Sequence, residues 1–274
     1  MSESLSLYLQ TARKAAYEAG EILLAAYRKI GSREKGPGDL VTDADFASQR
    51  RIAEIVLEAF PEHGFLGEEE GSNVENSSGY RWVVDPLDGT INFAHGVEPW
   101  SVSIALEREG ELIVGVVYVP LSGTMYSAAA GEGATENDRP MRTSGVGKLA
   151  GSLIAAGMPT NFAADSDRQL AIMKRLSTGT HSVRRMGSSA WNLARLAAGG
   201  FEVCYATSVH WWDVAAGVLL VREAGGLVTN LAGSRFDRDR PELLASNGTV
   251  HQEVLAAIQE AWPRIGRVER DVVK

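Results

Sequence analysis

The sequence predicts a layered α/β (α+β) protein, and three observations carry that reading. A long helix with a small-residue stripe opens the chain, and a run of short apolar strands with a hairpin follows. Beyond about residue 150 strands and helices alternate, the pattern of a sheet covered by helices on both faces. With 274 residues, 45% of them hydrophobic and 23% charged, the chain has enough apolar material for a sizeable core. The expected division is a helix pair plus antiparallel sheet over residues 1–145, joined to an α/β half over 146–274.

Leu5, Leu9, Ala12, Ala16, Ala19, Leu23, Ala26 and Ile30 recur three or four apart, the period of one helix face. Gly31 ends that helix, and Gly31–Leu40 reads as a loop. A second helix is expected from Thr42 to Phe60, burying Phe46, Ile52, Val56 and Phe60, with Pro61 closing it. "GFLG" and "RWVVD" are short strands, and "WSVSIALEREGELIVGVVYVP" is a hairpin turning at Glu109-Gly110. "GTMYSAAAGEGATEN" continues the sheet. "SLIAAG", "FEVCYAT" and "ELLASN" are strands of the second half. They alternate with helices in "DSDRQLAIMKRL", "SSAWNLARLAAG", "WWDVAAGVLLVREAG" and "HQEVLAAIQEAW".

The formal charge of −8 argues against nucleic acid or an anionic membrane as the main partner. One cysteine, Cys204, excludes a disulfide framework and a thiolate cluster. No apolar run approaches the ~18 residues of a membrane span, and the first residues lack a signal-peptide pattern. A cytoplasmic protein is expected. His63, His95, His181, His210 and His251 show no metal-binding spacing. Any metal site must then be built from oxygen, which favours Mg²⁺ or Mn²⁺ over zinc.

The chemistry concentrates in "WVVDPLDGTINF", Trp82–Phe93. Asp85 ends a buried strand, Pro86 stops or bends it, and Gly89 permits close backbone approach before a helical turn from Thr90. Two carboxylates and several N–H groups at one strand end suit divalent cations and phosphate. Other acids have ordinary readings too. Glu68 opens the acidic loop "GEEEG", Asp45 follows Thr42 as in a capping box, and Asp213 leads a nearly all-apolar helix as either cap or ligand.

Taken together, "DLVTDAD", "GFLGEEE", "WVVDPLDGTINF" and "WWDVAAGVLLVREAGG" resemble the inositol monophosphatase family of lithium-sensitive, Mg²⁺-dependent phosphatases over nearly the whole chain. The resemblance implies an αβαβα sandwich and a homodimer. It implies a first Mg²⁺ on Glu68, Asp85 and the Leu87 carbonyl, and a second on Asp85, Asp88 and Asp213. A third would lean on Glu68 and water. Thr90 and Asp45 would orient and deprotonate the attacking water, and the Gly89 and Thr90 amides would receive the phosphate of a small phosphomonoester. Gly187, Ser188 and Ser189 would receive its organic part, beside Asp88, Asp213 and position 206.

Position 206 departs from the family pattern, because Ala206 stands where the inositol phosphatases carry a hydroxyl-binding glutamate. Histidinol-phosphate, fructose-1,6-bisphosphate and 3′-phosphoadenosine phosphatases are the alternatives within the family, with Arg184 and Arg185 available to a second anionic group and Lys35 to the phosphate. The haloacid dehalogenase phosphatases also place an Asp-x-Asp-Gly-Thr string after a strand. Here two residues separate the aspartates and the late Gly-Asp-Gly-x-x-Asp string is missing. A regulatory binding role is the alternative of another class.

Overall fold

The computed structural model describes residues 2–29, 31–36, 39–71, 73–75, 77–158, 165–238 and 242–263. Along the first half run α1 (Glu3–Ala26), β1 (Ser32–Gly36), β2 (Asp39–Thr42), α2 (Asp43–Ala59), β3 (Gly64–Gly67), β4 (Tyr80–Asp88) and a short α3 (Thr90–Ala94). The meander β5 (Ser101–Arg108), β6 (Glu111–Val119), β7 (Thr124–Ala129), β8 (Gly133–Glu136) and β9 (Arg139–Met141) follows. The second half holds β10 (Leu153–Gly157), α4 (Ser166–Gly179), β11 (Ser182–Arg184), α5 (Ser189–Ala197) and β12 (Val203–Ala206). It ends with α6 (Trp211–Glu223), β13 (Leu227–Thr229), β14 (Leu243–Ser246) and α7 (His251–Ala261).

Strands β3 to β9 form one sheet in sequence order, antiparallel except for the β3–β4 pair. The other five-stranded sheet runs β11-β10-β12-β14-β13 and is mixed. Strand β4 shows how the layers are separated. Its side chains alternate, so Trp82 and Val84 face α1 and α2 while Val83 faces α5 and α6. Ala12, Ala16, Leu23, Ile52 and Val56 pack on the first face, and Leu193, Val214 and Leu220 on the second.

The second sheet closes over α5 and α6 through Ala155, Cys204 and Ala245, and its outer face takes α4 and α7 through Ile172, Leu176, Val254 and Ile258. The order is helix, sheet, helix, sheet, helix. Helix α6 lies in the middle layer, so every residue from Val214 to Val221 is buried. Gly115 admits it: a Cβ there would stand 2.8 Å from the Ala216 carbonyl. Among the described residues no helix is long and apolar enough to cross a membrane.

Two local expectations need correction and a third is sharpened. Gly31–Leu40 is not a plain loop, since β1 and β2 pair antiparallel within it. Of the stop or bend expected at Pro86, the structure takes the bend: the ladder shifts register between Asp85 and Asp88 and resumes at Asp88–Ser101. Proline removes one ladder donor, and a bulge absorbs the loss. Phe46 and Phe60 are half-buried rather than core residues. The helix-capping expectation at Thr42, the turn at Glu109-Gly110 and the helix from Thr90 match the structure.

Candidate active site

The bulge in β4 turns Asp85 and Asp88 toward one end of the sheet, and both are buried. Asp85 is enclosed by protein, and its carboxyl sits well above the usual carboxylate range. Burial is the first cause, followed by the charges of Glu68, Asp88 and Asp213, while the Leu87 N–H, 3.0 Å from Asp85 Oδ1, pulls the other way. Four acids from β3–β4, the bulge and α6 therefore share one field. Burial also raises Asp88. It is opposed by a hydrogen bond from Ser188 Oγ and by N–H groups at the start of α5, including Ala190 N at 2.8 Å and Ser189 N at 3.1 Å.

Asp45 reaches the same place from α2. Thr42 N and Oγ1 donate to its Oδ2 at 2.9 and 2.6 Å, closing a capping box. Its other oxygen faces Thr90 Oγ1 at 3.3 Å, and that hydroxyl also lies 3.0 Å from the Leu87 carbonyl. A hydroxyl has one proton, so Thr90 donates to one of these acceptors at a time. The capping and catalytic readings of Asp45 are compatible, because each uses a different carboxylate oxygen. Asp213 repeats the device: its Oδ2 accepts from His210 N at 2.8 Å while the side chain bears on Asp85.

A cavity of about 530 Å³ opens beside these groups, lined by Gly89, Thr90, Gly187, Ser188 and Ser189 and, farther out, by Leu40, Met158 and Arg185. Gly89 has φ 96°, and a Cβ there would lie 3.0 Å from the Pro99 carbonyl and 3.2 Å from that of Gly187. Only glycine meets both demands. Asn92 Nδ2 ties the two walls together by donating to Pro99 O at 2.7 Å and Met186 O at 2.8 Å.

The expected substrate contacts divide on inspection. Ser188 borders the cavity, but its side chain is buried and its hydroxyl is engaged by Asp88, so it positions an acid. Ala206 is buried and borders a much smaller apolar space of about 10 Å³ with Cys204 and Leu243, behind the Gly157, Ser189 and Asn192 that also line the large cavity. Arg185 lines the large cavity; Arg184 is exposed and bonds to Ser182 Oγ. The side chain of Lys35 lies outside the described residues.

Three supports were not anticipated from the sequence. Gln49 clamps the acidic loop by donating to Glu69 O at 2.5 Å and accepting from Glu69 N at 2.8 Å. Glu69 is buried, while Glu68 is half-buried beside Asp85. Ser48 Oγ holds the Pro86 carbonyl at 2.9 Å. Both residues lie within one helical turn of Asp45, which was the available signal. The third support is buried Glu107, which accepts from Arg81 Nε at 2.7 Å and from Trp211 Nε1 at 3.2 Å, anchoring the first turn of α6.

The inositol monophosphatase family model matches residues 4–263. The chain belongs to the inositol monophosphatase family and is a phosphoric monoester hydrolase. An inositol-1-monophosphatase of Mesorhizobium japonicum is 38% identical over 258 residues, covering 93% of this chain and 97% of that protein. The Nus factor SuhB of Pseudomonas aeruginosa is 37% identical over 263 residues, covering 93% and 97%. Among solved structures, the suppressor protein SuhB of Bartonella henselae superposes with a TM-score of 0.89 at 34% identity, covering 93% of this chain and 99% of that one. The inositol monophosphatase of Anabaena gives 0.85 at 35% identity, covering 94% and 97%.

The donor set fits a hard cation. It is all oxygen, it is acidic, and its most buried member is pushed toward protonation first by burial and then by three like charges. As the side chains stand, no three acids, histidines or cysteines among the described residues close into a cage. The hydrogen bonds that hold Asp88 to α5 and Asp213 to His210 keep these carboxylates directed to the starts of α5 and α6.

Proposed function

We propose that this family member hydrolyses a small phosphomonoester with Mg²⁺ as cofactor and water as nucleophile. The observation that carries the reading is buried Asp85 within the field of Glu68, Asp88 and Asp213, next to the Asp45–Thr90 pair and a cavity of about 530 Å³. Glu68, Asp85, the Leu87 carbonyl, Asp88 and Asp213 would hold two ions, and Glu68 with water a third; Mn²⁺ has similar ligand preferences. When bound, the cations neutralise the phosphate, acidify water and stabilise the leaving alkoxide.

The chain's own groups do the rest. Thr90 Oγ1, donating to Asp45 Oδ1, turns its lone pairs outward to accept a proton from the attacking water. Its own proton passes to Asp45, which is held in place by Thr42. Gly89 and Thr90 receive the phosphate where they line the cavity. In-line attack then needs alignment and charge neutralisation, not a covalent intermediate.

Inositol 1-phosphate is the first substrate to test, because relatives bear the inositol-1-monophosphatase name. Ala206 removes one expected hydroxyl contact, so histidinol phosphate, fructose 1,6-bisphosphate and adenosine 3′,5′-bisphosphate belong in the same panel. Arg185 at the cavity rim supports a substrate with a second anionic group. The enzyme is read as a cytoplasmic homodimer. Relatives named Nus factor favour a second reading, a regulatory binding role carried alongside catalysis. Phosphate release should vanish with EDTA, return with Mg²⁺ and fall with Li⁺. Turnover at an unchanged rate without metal overturns the mechanism.

A further inference from the structure

A second cavity, of about 460 Å³, shares no lining residue with the first. It lies between the β5–β6 turn, helix α6 and residues 235–238. Its walls combine three arginines, Arg222, Arg235 and Arg238, and two acids, Glu111 and Asp237, with the apolar surface of Leu112, Trp211 and Phe236. The two aromatic rings are near parallel, with centroids 5.9 Å apart.

The three cations are not equivalent. Arg238 is 3.3 Å from the buried Glu107 carboxylate, and Arg235 is paired with Glu111 at 2.5 Å on the exposed rim. Arg222 is half-buried, and its guanidinium makes no hydrogen bond or ion pair with the described residues. Burial and the neighbouring Arg235 charge pull its pKa down, with Glu111 opposing. A half-buried guanidinium without an acceptor is unfavourable, and it keeps five donors in a fork that matches carboxylate or phosphate. The volume falls in the usual range for a small-molecule site of ~300–1,000 Å³.

We infer that this cavity is a second ligand site, binding a small organic anion whose carboxylate or phosphate lies against Arg222 and Arg235. The ligand's flat apolar body rests on Leu112 and Phe236. The site is separate from the phosphatase centre and does not depend on the reading given for it.

Fluorine NMR titration of the Mg²⁺-loaded full chain tests this. The probes are 4-fluorobenzoate, its uncharged amide 4-fluorobenzamide, and the non-hydrolysable 4-fluorophenylphosphonate. At least one of the two anions should bind saturably and the amide should not; whichever anion binds tighter identifies the head group. Arg222→Gln and Arg235→Gln should each weaken that binding by about tenfold or more, the loss expected for a charged hydrogen bond. Phosphate release should stay within about twofold in both variants, since neither residue touches the first cavity. Thermal melting checks folding, and Arg235→Gln, on the rim, carries the test if Arg222→Gln does not fold. No saturable binding of either anion, equal binding of the amide, or unchanged affinity in the folded variants overturns the proposal.

Discussion

Helices α2 and α6 deliver an acid to the same site by the same local device from opposite sides of the seven-stranded sheet. In each, the third residue accepts from the backbone N–H just before the helix: Thr42 N to Asp45 at 2.9 Å, His210 N to Asp213 at 2.8 Å. Their surroundings differ. Helix α2 is amphipathic and exposes Arg50 and Glu54, whereas α6 is buried on all sides from Val214 to Val221. Asp45 faces Thr90, and Asp213 bears on Asp85. A capping carboxylate has two oxygens and its helix uses only one. The same sequence signal therefore serves proton transfer in one place and charge convergence in the other.

Substitutions that remove charge but keep shape should separate these roles. Asp213→Asn is expected to reduce kcat by a factor on the order of 10³ or more, with the loss partly recovered at high Mg²⁺, because its charge belongs to the cation-binding set. Asp45→Asn should cost ~10²–10⁴ in kcat, the usual worth of a general base, with no recovery at high Mg²⁺. Equal Mg²⁺ dependence in the two variants would erase the distinction. Steady-state rates across a Mg²⁺ series provide the measurement.

A smaller effect concerns stability. Asp85 has a folded-state pKa raised well above its unfolded value, so the unfolded chain gives up this proton more readily. Its neutral form supports the fold at low pH, and that support is lost as pH rises through the folded pKa. Without divalent metal, the Tm of the wild type should therefore fall relative to Asp85→Asn as pH increases from the acid range to neutrality. Mg²⁺ should close the gap. A Tm difference independent of pH would show that Asp85 is not held by the field of the other acids.

The smallest change expected is from Thr42→Ala, which removes the cap hydroxyl and its bond to Asp45. It should cost about 1 kcal/mol of stability. It should also lower kcat more than it changes KM, since Asp45 Oδ2 loses one of its two donors on Thr42. If kcat is untouched, Thr42 is a cap alone and α2 positions Asp45 without it.

How much of this was legible in the sequence depends on the range of each interaction. The alternation in β4 and the all-apolar run after Asp213 are periodicities within one segment, and both were readable. So was the capping box at Thr42, because its partners are three residues apart. The bulge at Pro86 and the β1–β2 hairpin were missed in detail, since each depends on a partner strand. Ser188, expected beside the substrate, lines the cavity and also engages Asp88, 100 residues away, a bond that no local pattern announces. Glu107 carries no local signal, because polar residues on a strand are ordinarily solvated, and Gln49 had only its place one helical turn after Asp45.

By itself the sequence determined the layered α/β class, the order of most elements and the acids available for a metal site, because hydrophobic period and turn chemistry are local. The family resemblance added their roles. Only the tertiary structure decided that Asp85 is the most buried of the four acids that share its field, that Asp88 is held by α5, and that Ala206 lies behind the wall of the main cavity. Only the fold left Arg222 half-buried beside Arg235. Burial and electrostatic fields are sums over neighbours brought together by packing, and no short stretch of chain contains them.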